Sequence, residues 1–238
     1  MNDVNGLTYR KADLHVHTPE SLCYRDLSVR PEQIVGAALE TGLDILGVTD
    51  HNTVEAIDDI RAAARGQGLF IFPGIELSTP GGHVIVLFEE NIPSDDLRNF
   101  LSAVGLPRES WGDASVMTQS SLEEVLEKTH QYGGINVAAH IERWPSGFLE
   151  TGLPRREKLR IHENQYLNAL EITIPQNKDL WNNGLMRDFP RRHACIQASD
   201  AHAPEEIGRR FVQIEMERPS LECLRAAFVD HQTKIVFP

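Results

Sequence analysis

The chain has 238 residues, 41% of them hydrophobic, and a formal net charge of −12. That length suits one large α/β domain, no run of about 18 apolar residues offers a membrane span, and MNDVNGLTYR at the start lacks an apolar signal region. The acidic balance argues against a long nucleic-acid groove, and three scattered cysteines without a CxxC pair fit a reducing, cytoplasmic setting.

In chain order, the first element is a strand over Lys11–Thr18, KADLHVHT. Side chains two apart on a strand share a face, so His15 and His17 point together with Val16 opposite. Asp13 is expected on the same face, accepting a ring N–H from one histidine. The polar loop Pro19–Arg30 leads to a helix over Pro31–Thr41, with Pro31 in its first turn and Gly42 just after its end. Leu43–Val48 is a strand running into Thr49-Asp50-His51, and Thr53–Arg65 reads as a helix. Leu69–Ile75 is a strand with Glu76 just past its end. A turn at Ser78–Gly82 makes a hairpin with HVIVLF and returns His83 beside Glu76. Helices follow over Asp95–Val104 and Ser121–Tyr132, the second capped by Ser120. The strand Ile135–Ala139 ends at His140, and Trp144–Arg155 is a loop. Strands over Ala169–Ile174 and Cys195–Ser199 come next, the latter leading into Asp200-Ala201-His202. Pro204–Arg209 is a short helical turn, Arg210–Met216 a strand, Ser220–Val229 a helix and Lys234–Phe237 a terminal strand.

Strands alternating with helices predict a mainly parallel sheet. Polar residues gather just after at least five strands, which favours a closed α/β barrel with its site at the carboxyl ends over an open sheet with one crevice. With no repeat and no linker, residues 1–238 read as a single domain.

Six of the ten histidines, His15, His17, His51, His83, His140 and His202, sit at one end or the other of a strand, and with Glu76 and Asp200 they offer eight nitrogen and oxygen donors. Imidazole and carboxylate suit Zn, Mn or Fe(II), and eight donors exceed the needs of one ion, so two or three are implied. Paired ions polarise a phosphate, activate a water and stabilise a leaving oxygen, and a carboxylate such as Glu76 can bridge them. Each residue alone has a plainer reading: His140 a core histidine, Gly81-Gly82-His83 a turn, Asp200 a helix cap. It is their joint placement that points to a metal centre. His130, His162, His193 and His231 lack these contexts and read as structural or solvent-exposed.

DLHVHT at Asp13–Thr18, GVTDHNT at Gly47–Thr53, PGIEL at Pro73–Leu77 followed by HVIVLF, AAHIER at Ala139–Arg143 and SDAH at Ser199–His202 together resemble the motifs of the PHP (polymerase and histidinol phosphatase) family, in order and over most of the chain. The resemblance implies a distorted (β/α)7 barrel with its metal site at the C-terminal ends of the strands. It also implies a two- or three-metal centre that hydrolyses phosphate esters through a metal-activated water. By this similarity His15, His17, Glu76 and Asp200 hold one ion, Glu76, His83 and His140 a second, and His51 and His202 help hold a third. Many relatives place an aspartate or histidine ligand in the loop after the first motif; here the loop reads PESLCYRD, leaving Cys23, Glu20 or Asp26 as candidates, with Cys23 favoured because some relatives share it. Alternatively Cys23 only packs and the third position is weak.

Arg143, three residues past His140, is placed to meet a phosphate from the metal side, and one of Arg209 and Arg210 could point inward. Glu76, Asp200 and Arg143 are therefore the candidate catalytic residues. The expected activity is a metal-dependent phosphoesterase on a small phosphorylated metabolite or nucleotide. The alternatives are an exonuclease-type phosphodiesterase on short nucleic-acid ends and a non-catalytic metal-binding module supporting a partner protein.

Overall fold

The computed structural model describes residues 8–238; most of the MNDVNGLTYR stretch lies outside the described residues. Nine strands run through them: β1 (Thr8–Val16), β2 (Ile45–Val48), β3 (Phe70–Thr79), β4 (Gly82–Leu87), β5 (Ile135–Ala138), β6 (Ala169–Glu171), β7 (Ala194–Ile196), β8 (Val212–Met216) and β9 (Ile235–Val236). Their order in one sheet is β7-β6-β5-β4-β3-β2-β1-β8-β9. The chain after β7 turns back to the end of β1, where Asp200 N donates to His15 O (3.0 Å) and His17 N to Ala201 O (3.0 Å). Seven strands thus form a nearly closed barrel, with β8 laid against the first half of β1 and β9 against β8.

The sheet is not mainly parallel. Four pairings (β1–β2, β2–β3, β5–β6, β6–β7) are parallel and four (β1–β8, β3–β4, β4–β5, β8–β9) are antiparallel. The short Thr79–Gly82 turn replaces a helical crossover, so β4 can only return antiparallel. That hairpin also carries β3 past Glu76 to Thr79, so Glu76 lies within a strand rather than beyond it.

Eight helices complete the chain: α1 (Pro31–Glu40), α2 (Ile57–Ala64), α3 (Ser94–Ala103), α4 (Leu122–Gln131), α5 (Arg155–Glu163), α6 (Lys178–Asn182), α7 (Leu221–Val229) and α8 (His231–Lys234). In α1, Pro31 opens the first turn, Ile34, Val35 and Ala38 face the sheet, and Gly42 follows with φ +71°, a conformation that costs glycine least. The cap of α4 is Ser121, not Ser120: its hydroxyl accepts from Glu124 N while the Glu124 carboxylate accepts from Ser121 N (2.8 Å). Helix α2 starts only at Ile57, four residues later than the apolar spacing predicts. Helix α5, from Arg155, was not legible because its sequence, RREKLRIHE, is polar on nearly every side and buries only Ile161 and His162.

Two apolar clusters lie on the two faces of the sheet. One joins Leu14, Phe72, Ile85, Val137 and Ile214 inside the barrel, and α7 closes that end with Leu221, Leu224 and Phe228. The other joins Val16, Ile75 and Val86 to Ile34, Ile57, Phe100 and Trp181 beneath the helices. No helix is long and apolar enough to cross a membrane among the described residues.

Candidate metal centre

The pairing of β1 with β2 slips between Asp13 and Val16. Ala12 and Leu14 face the barrel interior, yet Val16 packs outside, so the irregularity turns His15 and His17 inward. Asp13 is left on the outer face. Its carboxylate accepts from Ser199 N (3.0 Å) and Gly208 N (2.9 Å), and so ties the β7–β8 connection to β1 instead of orienting a histidine. Its burial pushes its pKa up to about 6, against those hydrogen bonds.

Glu171 takes the role expected of Asp13. Its Oε2 lies 2.8 Å from His15 Nδ1, which sets the proton there and leaves Nε2 free to face the centre. His17 has its own relay: buried Asp50 accepts from the Ser21 hydroxyl (2.6 Å), and Ser21 Oγ in turn faces His17 Nδ1 at 3.0 Å. Asp50 also accepts from Thr18 N and Oγ1 (2.6 and 2.7 Å), which pins the loop after the first motif. Sequence reasoning missed Glu171, Asp50 and Ser21. A carboxylate inside the apolar run ALEITI is a signal that could have found Glu171.

Glu76 is the hub. Its Oε1 lies 2.8 Å from His83 Nδ1 and 2.8 Å from His140 Nε2. Its Oε2 lies 3.1 Å from His15 Nε2, 3.2 Å from His17 Nε2 and 3.0 Å from His51 Nδ1. Three imidazole nitrogens thus surround a fully buried carboxylate oxygen that has no hydrogen-bond partner, and His51 Nδ1 is unpartnered as well. Unpaired buried polar atoms of this kind are costly unless something completes them, and a donor set of nitrogens and carboxylate oxygens fits a divalent cation. Asp200 Oδ1 completes the first group, 3.0 Å from His17 Nε2 and 3.3 Å from His15 Nε2.

Three sets of donor atoms lie mutually within 4.8 Å: His15, His17, Glu76 and Asp200; His51, Glu76 and His83; and His17, His51 and His202. The first coincides with the set the sequence suggested. In the second, His51 joins Glu76 and His83, while His140 reaches the same carboxylate from β5. In the third, His17 stands with His51 and His202, the His17 and His202 rings stacking at 4.1 Å. Cys23, Glu20 and Asp26 join none of these sets. Cys23 is exposed; loss of water around it and the nearby carboxylates push its thiol up to about 11. Asp26 instead accepts from Ser28 N and Oγ (2.9 and 2.6 Å).

The electrostatics is that of a carboxylate nest. Burial alone would lower His15, but Glu76, Asp200 and Glu171 together hold its pKa well above the ordinary value. Against the same burial, Asp200 and Glu76 raise His17 to about 9. Glu76 and Asp200 are held well below the carboxylate range because surrounding imidazoles outweigh their burial. His51 is driven down to about 3, by burial and then by crowding from His17 and His83. The site thus demands positive charge, and protons and metal ions compete to supply it.

The backbone is strained here. Only four described non-glycine residues have positive φ, and His140 (+27°), Asp200 (+52°) and Asn52 (+54°, next to His51) are three of them. Such conformations cost on the order of 1–3 kcal/mol each and persist where the surroundings over-determine them. Gly74, two residues before Glu76, is obligatory: an added Cβ would sit 2.6 Å from Val86 O across the hairpin.

Arg143 pairs with Asp200 Oδ2 from the outer side, with its side chain 43% exposed. It therefore stands at the rim of the centre, between a donor carboxylate and solvent. Arg210 is half-buried and donates to Ile172 O (3.1 Å); Arg209 is exposed near Glu206. Strand β6 stops at Glu171 because Thr173 N and Ile174 N turn to the Glu142 carboxylate, both at 2.9 Å.

The model of the PHP domain matches residues 13–177, well over half of the chain. The chain belongs to the PHP family. Among relatives, an uncharacterised protein of Methanocaldococcus jannaschii is 30% identical over 138 residues, covering 55% of this chain and 67% of that protein. A 5′-3′ exoribonuclease of Haemophilus influenzae is 33% identical over 89 residues, covering 35% of this chain and 31% of that enzyme. The match thus spans under a third of the exoribonuclease. Two solved structures share the PHP fold. One is a two-domain protein of Bacteroides vulgatus containing a predicted PHP-like metal-dependent phosphoesterase (TM-score 0.68, 18% identity, 99% of this chain and 66% of that one). The other is the lesion-specific endonuclease Q of Pyrococcus furiosus (TM-score 0.70, 17% identity, 96% and 58%).

Proposed function

We propose that this PHP-family chain is a metal-dependent phosphoesterase acting on a small phosphorylated metabolite or nucleotide. The observation that carries the reading is Glu76, whose two oxygens face separate groups of imidazoles, His83 and His140 on one side and His15, His17 and His51 on the other. That arrangement suits a carboxylate shared between two cations, and His202 with Asp200 extends the donor set outward. Divalent ions held there would polarise the phosphate, lower the pKa of an attacking water and stabilise the leaving oxygen.

The chain's own residues do the rest. Glu171 and the Asp50–Ser21 pair fix the tautomers of His15 and His17, so that their Nε2 lone pairs face inward. Asp200 divides its carboxylate between the inner donors and Arg143. Arg143, half out of the site, can leave that pair to hold a non-bridging phosphate oxygen with a planar fork. Its partner Asp200 keeps it aimed before substrate arrives.

A second reading, removal of nucleotides from short nucleic-acid ends, is favoured by the exoribonuclease and endonuclease names among the relatives. The net charge of −12 keeps this to short ends rather than long duplexes. The deciding experiment is a screen of phosphomonoesters, cyclic nucleotides, mononucleotides and 5′-phosphorylated oligonucleotides with added Mn, Zn or Fe(II). Turnover of small monoesters supports the first reading, and turnover confined to oligonucleotides replaces it with the second. No turnover by fully metallated protein overturns both, and leaves a metal-binding module that supports a partner protein.

A further inference from the structure

At the barrel end opposite the metal centre is a cavity of about 580 Å³, set between the N-terminal ends of β6 and β7 and the connection from α7 to α8. Three arginines, Arg191, Arg192 and Arg225, line it. In a chain with net charge −12, that gathering is against the general trend. Arg61, Arg98, Arg143 and Arg155 each pair with a carboxylate, whereas none of these three has one within 4.0 Å among the described residues. The one carboxylate in the lining, Asp230, lies 3.4 Å from Lys234 Nζ.

Two of the guanidinium groups are anchored by neutral oxygens, while Arg192 is exposed. Arg191 donates to Asn164 O while its backbone N–H donates to His162 Nε2 (3.0 Å), and Arg225 donates to Gly134 O at 3.1 Å. A guanidinium carries five N–H donors, so most of them remain for a ligand. Arg191 is partly desolvated, and this outweighs the attraction of Glu163, so its pKa is drawn below the ordinary value. Leu167 and Phe228 are the large apolar residues of the lining beside Val229. Fixed cations beside apolar side chains recognise a ligand with a charged head and a carbon body. The volume falls within the usual range for small-ligand sites, roughly 300–1,000 Å³.

We propose that this cavity is a second binding site, independent of the metal centre, for a small organic phosphate. The phosphate would sit among Arg191, Arg192 and Arg225, which match its geometry through charge-assisted, paired N–H donors. The carbon portion would lie on Leu167 and Phe228. The walls also include the starts of the two segments that end at Glu171 and at Asp200, so an occupant would touch the same strands that serve the metal centre.

The test follows the arginine Nε resonances of the zinc-loaded chain by NMR during titration with the non-hydrolysable phosphonate analogue of glycerol 3-phosphate, and separately with inorganic phosphate. These resonances report locally, so binding at the metal centre does not confuse them. Saturable shifts at Arg191, Arg192 and Arg225 are expected with the phosphonate, with Kd on the order of 10 µM–1 mM. Arg192→Ala with Arg225→Ala should weaken binding by about 10-fold or more, the scale of losing charge-assisted contacts. Arg192→Ala alone, at an exposed residue, guards against a folding artefact. Saturation by inorganic phosphate at equal affinity supports the anion site and removes the role of Leu167 and Phe228. Absence of shifts with both probes, or unchanged affinity in the double variant, overturns the proposal. Tighter binding of a 5′-phosphorylated oligonucleotide to the same three arginines overturns its small-molecule assignment.

Discussion

The barrel holds two groups of buried histidines, and they teach what makes a histidine a ligand. At the metal-centre end of the barrel, His15, His17, His51, His83 and His140 face carboxylates. Beneath the helices, His162, His193 and His231 face the backbone: His162 Nε2 accepts from Arg191 N (3.0 Å), His193 Nε2 donates to His162 O (2.7 Å), and His231 Nδ1 lies 3.0 Å from Phe228 O. Both groups are desolvated. In the first, carboxylates outweigh desolvation at His15 and His17; in the second, desolvation wins at His162, lowered to about 4, and at His193, lowered to about 3. A proton or a cation is therefore welcome at His15 and His17 and excluded from His162 and His193.

Removing the hub should erase the difference most completely. Glu76→Ala is expected to lose most of the bound metal and the turnover, whereas His202→Ala should lose mainly one ion and keep part of both. Elemental analysis of protein purified without chelator, with at least two transition-metal ions expected per wild-type chain, checks this. Full metal content in Glu76→Ala would remove the bridging role.

A smaller effect is expected at the rim. Arg143→Ala should keep fold and metal content but lower kcat/KM on a phosphoester by roughly 10- to 1,000-fold, with Lys rescuing only in part. Steady-state kinetics alongside metal analysis separates this from loss of a ligand; wild-type kcat/KM in the variant makes Arg143 a surface residue.

The support for His15 comes next. Glu171→Gln keeps the shape but weakens the acceptor, and should cost about 10- to 100-fold in metal affinity or activity. Competition with a metal-binding dye measures it, and an unchanged affinity means that Glu171 only fills space.

The smallest effect concerns the other group. His162 has a folded pKa of about 4 against an ordinary value of 6.5, so the unfolded chain binds more protons between these values. Its contribution to stability is present above about pH 6.5 and is lost as pH falls toward 4. Denaturation at stepped pH should show this loss, and His162→Gln should be less stable at neutral pH but flatter in that window. Parallel profiles for the two proteins would mean that another group carries the acid sensitivity.

The eight strand-end donors were legible in the sequence because each belongs to a short local pattern: HxH, a strand followed by Asp-His, a hairpin returning His83 to Glu76, SDAH. Hydrophobic runs marked most strands, since burying a face needs apolar residues in a fixed period. Helix α5 was hidden, as its polar sequence is held by neighbours rather than by its own pattern.

The sequence by itself determined which side chains could bind metal and roughly where the barrel strands lie, since those depend on residues close together in the chain. Tertiary structure decided which partner serves which donor. The irregularity in β1 gave Asp13 to Ser199 and Gly208, and brought Glu171, 156 residues away, to His15. The tertiary fold also gathered Arg191, Arg192 and Arg225 around one cavity. Hydrogen bonds and charge pairs act over a few ångströms of space, whatever the separation along the chain, so only the closed barrel could assign them.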